Sequence, residues 1–138
     1  MAVTVARMDT WAAGMQDKPG ALAEKLAALA EAGVNLEFIV ARRDKKKTGV
    51  VFVTPIQGAK QAAAAKKAGF AKTKSLVAIR VEGPDKKGMG AAITGAIAEA
   101  GINVRGVSAA AIGKKFVCNI ALDTAADATK VGRILRKL

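Results

Sequence analysis

Two short stretches place the same polar residues at the same spacing. Asp17-Lys18-Pro19-Gly20 is echoed by Asp85-Lys86-Lys87-Gly88, and Asn35 is echoed by Asn103. Each Asp-Lys-x-Gly leads into an apolar stripe of helical period. Such a turn suits binding rather than bond-making. Backbone N–H groups at a helix start are unpaired and face outward, so they attract an anion. Gly20 and Gly88 carry no side chain and let a ligand approach the backbone closely. Asp17 or Asp85 could accept from a cationic group, and Asn35 or Asn103 could donate and accept. Each has a plainer use as well. Either Asp could cap its helix. Pro19 suits a first helical turn for its fixed φ alone. Gly33-Val34-Asn35 could simply stop a helix and start a strand. The recurrence of the whole set is what favours a site.

The positioning elements follow from that recurrence. Ala30-Glu31-Ala32-Gly33-Val34-Asn35 matches Ala98-Glu99-Ala100-Gly101-Ile102-Asn103 at the same offset of 68 residues, and 10 of the 19 positions from 17 to 35 equal their partners. Twice that offset nearly fills the 138-residue chain, which marks a duplication. The first helix of each copy carries Leu22, Leu26 and Leu29, or Met89, Ile93 and Ile97. A hairpin follows, 35–41 with 49–54 around the basic run Arg42–Lys47, and 102–112 with 115–122 around Gly113. Second helices are expected near 58–68 and 124–137.

This order is β-α-β-β-α, one strand short of βαββαβ. The stretches 3–14 and 70–83 are each long enough to serve both copies. The early part of 3–14 is therefore expected to close the second copy. The expected class is α+β: two ferredoxin-like (βαββαβ) units, 1–71 and 72–138, paired about a pseudo-twofold axis. Their sheets are antiparallel, with helices on one face.

Composition narrows the functions. The chain lacks His and Tyr, so it has no imidazole base or ligand. Cys118 is the only cysteine and sits in an apolar run, where it reads as a small strand residue. No metal site, no cofactor and no catalytic residue is expected. No apolar run is long enough to span a bilayer, and the N-terminus lacks a secretory layout. A cytoplasmic protein without a membrane partner is the default.

The Asp-Lys-Pro-Gly-Ala-Leu turn after an apolar strand, with Leu-Ala-Glu-Ala-Gly-Val-Asn-Leu behind it, resembles the ACT domain. The resemblance covers nearly the whole chain. It implies a regulatory protein that binds an amino acid where ACT units pair, and the architecture makes a homodimer the expected assembly. It also places ligand contacts at Met15, Asp17, Lys18, Pro19, Gly20 and Asn35, and at Asp85, Gly88 and Asn103. An amino acid suits the turn chemically, its carboxylate on the open amides and its ammonium on an Asp. Lys87 in place of Pro19, and Gly90 in place of Leu22, point to a looser second turn.

The formal charge of +12 leaves a rival. Nucleic-acid binding shares the βαββαβ order, but aromatics are only 4% of residues and the aromatic RNA-binding signature is absent. A ligand-free protein-interaction module is the third reading.

Overall fold

The computed structural model describes residues 2–74 and 76–138. Twelve elements follow in chain order: β1 Thr4–Met8, β2 Trp11–Gln16, α1 Ala21–Glu31, β3 Phe38–Arg43, β4 Thr48–Thr54, α2 Gly58–Lys67, β5 Ala71–Lys72, β6 Val77–Pro84, α3 Met89–Glu99, β7 Gly106–Ile112, β8 Lys115–Leu122 and α4 Ala125–Leu135. They form two antiparallel four-stranded sheets, ordered β3-β4-β2-β5 and β1-β6-β8-β7. The first compact unit is Asp9–Thr73. The second joins the residues up to Met8 to those from Lys74 onward.

The first unit holds its helices on one sheet face. Trp11, Ala13, Val51 and Val53 point to that face and bury against Leu29 of α1 and Ala65 of α2. Alternation along the strands decides this, since odd residues of β2 and β4 share a face. Leu22 and Leu26 pack partly onto the same core. The chain leaves α1 through a glycine motif. Gly33 is left-handed (φ 80), its N–H donates to the Ala30 carbonyl at 3.0 Å, and Val34 N–H donates to Leu29 at 3.2 Å. This pairs the last free carbonyls and folds Val34 onto the core.

The second unit repeats the plan. Ile79, Val81, Cys118, Ile120 and Leu122 of the sheet meet Met89, Ile93 and Ile97 of α3 and Val131 and Leu135 of α4. All three residues of the α3 stripe are buried. The missing strand is β1, antiparallel to β6 from Thr4 opposite Glu82 to Met8 opposite Ala78. Cys118 is 1% exposed, and burial pushes its thiol up from the ordinary value.

The second strands of both copies start later than the sequence implies. β3 begins at Phe38 instead of Asn35, and β7 at Gly106 instead of Ile102. The cause is physical. Val34 and Leu36, like Ile102 and Val104, alternate with polar neighbours and point into the core. That alternation imitates a strand, but the chain is still crossing the end of the sheet and pairs with no strand there.

Candidate functional site

In the first unit β2 ends at Gln16 and α1 begins at Ala21. The loop between is tightly organised. Asp17 N–H donates to the Lys47 carbonyl at 3.0 Å, Lys18 N–H to Gln16 at 3.1 Å, and Ala21 N–H to Lys18 at 3.3 Å. Gly20 is the N-cap in the left-handed region (φ 85), and no side chain caps the helix. Asp17 therefore does not cap α1. Its Oδ2 instead accepts from Arg43 Nε at 2.5 Å, which ties the loop to the β3–β4 hairpin. By contrast, α4 is capped by its own Thr124, whose hydroxyl accepts from Asp127 N–H at 3.0 Å.

The second unit builds the same loop from different residues. Asp85 N–H donates to the Lys114 carbonyl at 2.8 Å, and Met89 N–H to Lys86 at 3.3 Å. Gly88 is left-handed (φ 80) and again no side chain caps the helix. The loop keeps the bonds from Asp85 and Met89 without a proline, and Gly88 supplies the left-handed backbone conformation. The Asp85 carboxylate is exposed and bonds no protein group among the described residues. In both units the amides of the first helical turn, Leu22 and Ala23 or Gly90 and Ala91, lie too early in the helix to find an intrahelical carbonyl.

The structure brings Met15, Asp17, Lys18, Pro19 and Gly20 together, but not Asn35. An eleven-residue helix advances about 16 Å at 1.5 Å per residue, so it runs the length of the sheet before the chain turns. Asn35 thus lies at the far end of its unit, two residues before Glu37, whose N–H donates to Thr54 at 2.9 Å. Asn103 lies likewise far from Asp85, beside the Arg105–Ala121 end of its sheet. Both asparagines are exposed.

Sequence reasoning missed a cleft beside the first loop. It measures about 390 Å³ and is lined by Met15, Lys18, Ala21, Glu24 and Lys67, among others. It exists because β5 pairs with Trp11 and Ala12, so among the described residues the β2 edge from Gly14 to Gln16 meets no strand on that side. Lys25 Nζ donates to the Ala68 carbonyl at 2.5 Å and joins α1 to the end of α2 there. The cleft offers ammonium groups, a carboxylate and open strand backbone within one small volume. Ala21, Glu24 and Lys25 share one face of α1 by helical spacing, and that much was legible. The position of Lys67 depends on how α2 docks, which no local pattern reveals.

Trp11 is buried in the core and offers no stacking surface. Among the described residues no group of His, Cys, Asp and Glu could hold a metal ion. No helix among them is long and apolar enough to cross a membrane.

Residues 13–68 match one family model and residues 75–138 another, and both models describe the ACT domain. No curated protein sequence matches the chain. Solved structures resemble it over its full length. A protein from Bacteroides thetaiotaomicron superposes with a TM-score of 0.75 at 18% identity, over 99% of both chains. The ligand-free regulatory subunit of aspartate kinase from Thermus thermophilus gives 0.68 at 17%, over 99% of this chain and 96% of that one. A structure of aspartokinase alpha and beta subunits gives 0.67 at 20%, over 99% and 96%. At these identities the likeness is one of fold.

Proposed function

Since the chain belongs to the ACT domain family, with one such domain in each half, we propose that it is a regulatory protein that senses an amino acid and has no catalytic role of its own. One observation carries the reading. Both Asp-Lys-x-Gly loops end at a left-handed glycine, leave the first-turn amides uncapped, and are braced by the same Asp N–H to hairpin-carbonyl bond. A carboxylate fits such amides, which carry the positive end of the helix dipole. In the first unit the cleft adds Lys18 and Lys67 for a carboxylate and Glu24 for an ammonium, in a volume suited to a small ligand. In the second, the unpaired Asp85 carboxylate is the ammonium partner. Pro19 and Gly20 shape the first loop, and Gly88 the second. The aspartate kinase regulatory subunit that shares the fold is consistent with a regulatory role.

A homodimer accompanies this reading. Ile39 (47% exposed), Val107 (45%) and Ile112 (72%) lie on the edge strands β3 and β7, where unpaired strands invite partners. Nucleic-acid binding has less support. Trp11 and Phe70 are buried, and Phe52 faces Ala12 across the sheet rather than a second aromatic.

A thermal-shift screen of the common amino acids tests the proposal. A ligand at 100 Kd stabilises by about 2.7 kcal/mol, and at least one amino acid is expected to reach that range. Glu24→Gln or Asp85→Asn should reduce the shift with folding intact. Asn35→Ala and Asn103→Ala should reduce it less, because each lies far from its own loop. A screen with no amino-acid hit would reject the reading.

A further inference from the structure

The β3–β4 hairpin tip concentrates more charge than its one side-chain tie to the ligand loop, Arg43 to Asp17, requires. Arg42, Arg43, Lys45, Lys46 and Lys47 fall within six consecutive residues, all exposed, and Lys18 lies in the loop bonded to them. Within this group each arginine has a carboxylate beside it. Arg43 pairs with Asp17, and Arg42 Nη1 lies 3.6 Å from Asp44 Oδ1. The ammonium groups of Lys18, Lys45, Lys46 and Lys47 meet no partner among the described residues.

The tip is also closely hydrogen-bonded. Asp44 N–H donates to Thr48 and Thr48 N–H to Lys45, both at 3.0 Å. The Thr48 hydroxyl accepts from Lys45 N–H at 3.0 Å and donates to the Lys45 carbonyl at 3.1 Å. The Lys47 carbonyl accepts from Asp17 N–H. Lys47 itself has φ 67, and among the described residues it is the one non-glycine residue with positive φ. Glycine or asparagine would sit there with less strain. A lysine at that point places a cation where backbone preference argues against one.

We propose that this braced tip, Lys45–Lys47 with Lys18, is the docking surface for an acidic segment of a partner protein. Four free point charges on a fixed scaffold match a short run of Asp and Glu. A nucleic acid fits less well. The tip has no aromatic residue on which a base could stack, and each of its arginines already lies beside a carboxylate. The surface needs no small molecule in order to bind, so its test stands apart from that of the sensing role.

The test uses the full chain and a fluorescent octaglutamate peptide at low salt, followed by anisotropy. Lys45→Gln/Lys46→Gln/Lys47→Gln should weaken binding by about tenfold or more, since charge pairs set such contacts. Lys60→Gln/Lys66→Gln/Lys130→Gln removes the same charge elsewhere and should change Kd by less than about twofold. Lys47→Gly alone should raise the melting temperature yet weaken binding, which separates the charge from the fold. Equal losses in the two triple variants would reduce the effect to net charge and overturn the proposal. So would an absence of peptide binding, or tighter binding of a single-stranded oligonucleotide of equal charge.

Discussion

A chain lacking residues 2–8 is expected to lose most of the stability of the unit built on α3 and α4. Those residues contain β1, whose five positions pair with β6. Val3 and Val5 pack against the core of that unit. Arg7 Nη2 donates to the Ala125 carbonyl and the Thr129 hydroxyl, each at 3.0 Å, and Arg136 Nη2 donates to the Val5 carbonyl at 3.1 Å. Removing these groups forfeits roughly 1 kcal/mol per hydrogen bond and ~0.8 kcal/mol per buried methylene. The sum is a large share of the roughly 5–15 kcal/mol that holds a typical domain. Removal also bares the β6 edge, which invites aggregation. Trp11, the sole tryptophan, is buried in the other unit, so its fluorescence reports that unit while far-UV circular dichroism reports both. The truncated chain should show a dichroism transition well below its fluorescence transition. Transitions that fall together and equally would contradict the assignment of β1.

Ile93→Ala should be the most damaging single truncation in the helices. Ile93 is fully buried at the centre of the α3 stripe, between Met89 and Ile97, which are themselves buried. Rigid neighbours on both sides limit collapse into the void, so a cost of about 2–5 kcal/mol is expected. For a unit of this size that lowers the melting point by more than about 10 °C. Leu26→Ala, at a half-buried position of α1, should cost distinctly less. Equal losses would mean that the two helices carry their cores alike, against their different burial. Chemical denaturation followed by circular dichroism measures both.

These two variants also show what the sequence made legible. The α3 stripe could be read because three large apolar residues recur at i, i+4 and i+8, and the structure buries all three. The α1 stripe was read less fully. Its fully buried residues are Ala21 and Leu29, while Leu22 and Leu26 are half-buried against the core. The repeat offset located both turns, which share a left-handed glycine and an Asp N–H bond to a hairpin carbonyl. It could not reveal that Asp17 is held by Arg43, because the length of the hairpin sets which basic residue comes back to the loop. Nor could it show how far Asn35 lies from Asp17. Seventeen intervening positions look short in sequence and span a whole helix in space. The cleft at Glu24 and Lys67 was invisible for a similar reason: it is the space left by a two-residue β5.

The proposed sensing role makes its sharpest statement about four backbone amides, those of Leu22, Ala23, Gly90 and Ala91. Titration of the ¹⁵N-labelled chain with the stabilising amino acid, followed by amide chemical shifts, reads them directly. Saturable shifts centred on one or both of these pairs, extending to Lys47 or Lys114 through the loop hydrogen bonds, are the predicted result. Saturable shifts that leave both helix starts unmoved would place the ligand elsewhere and contradict it.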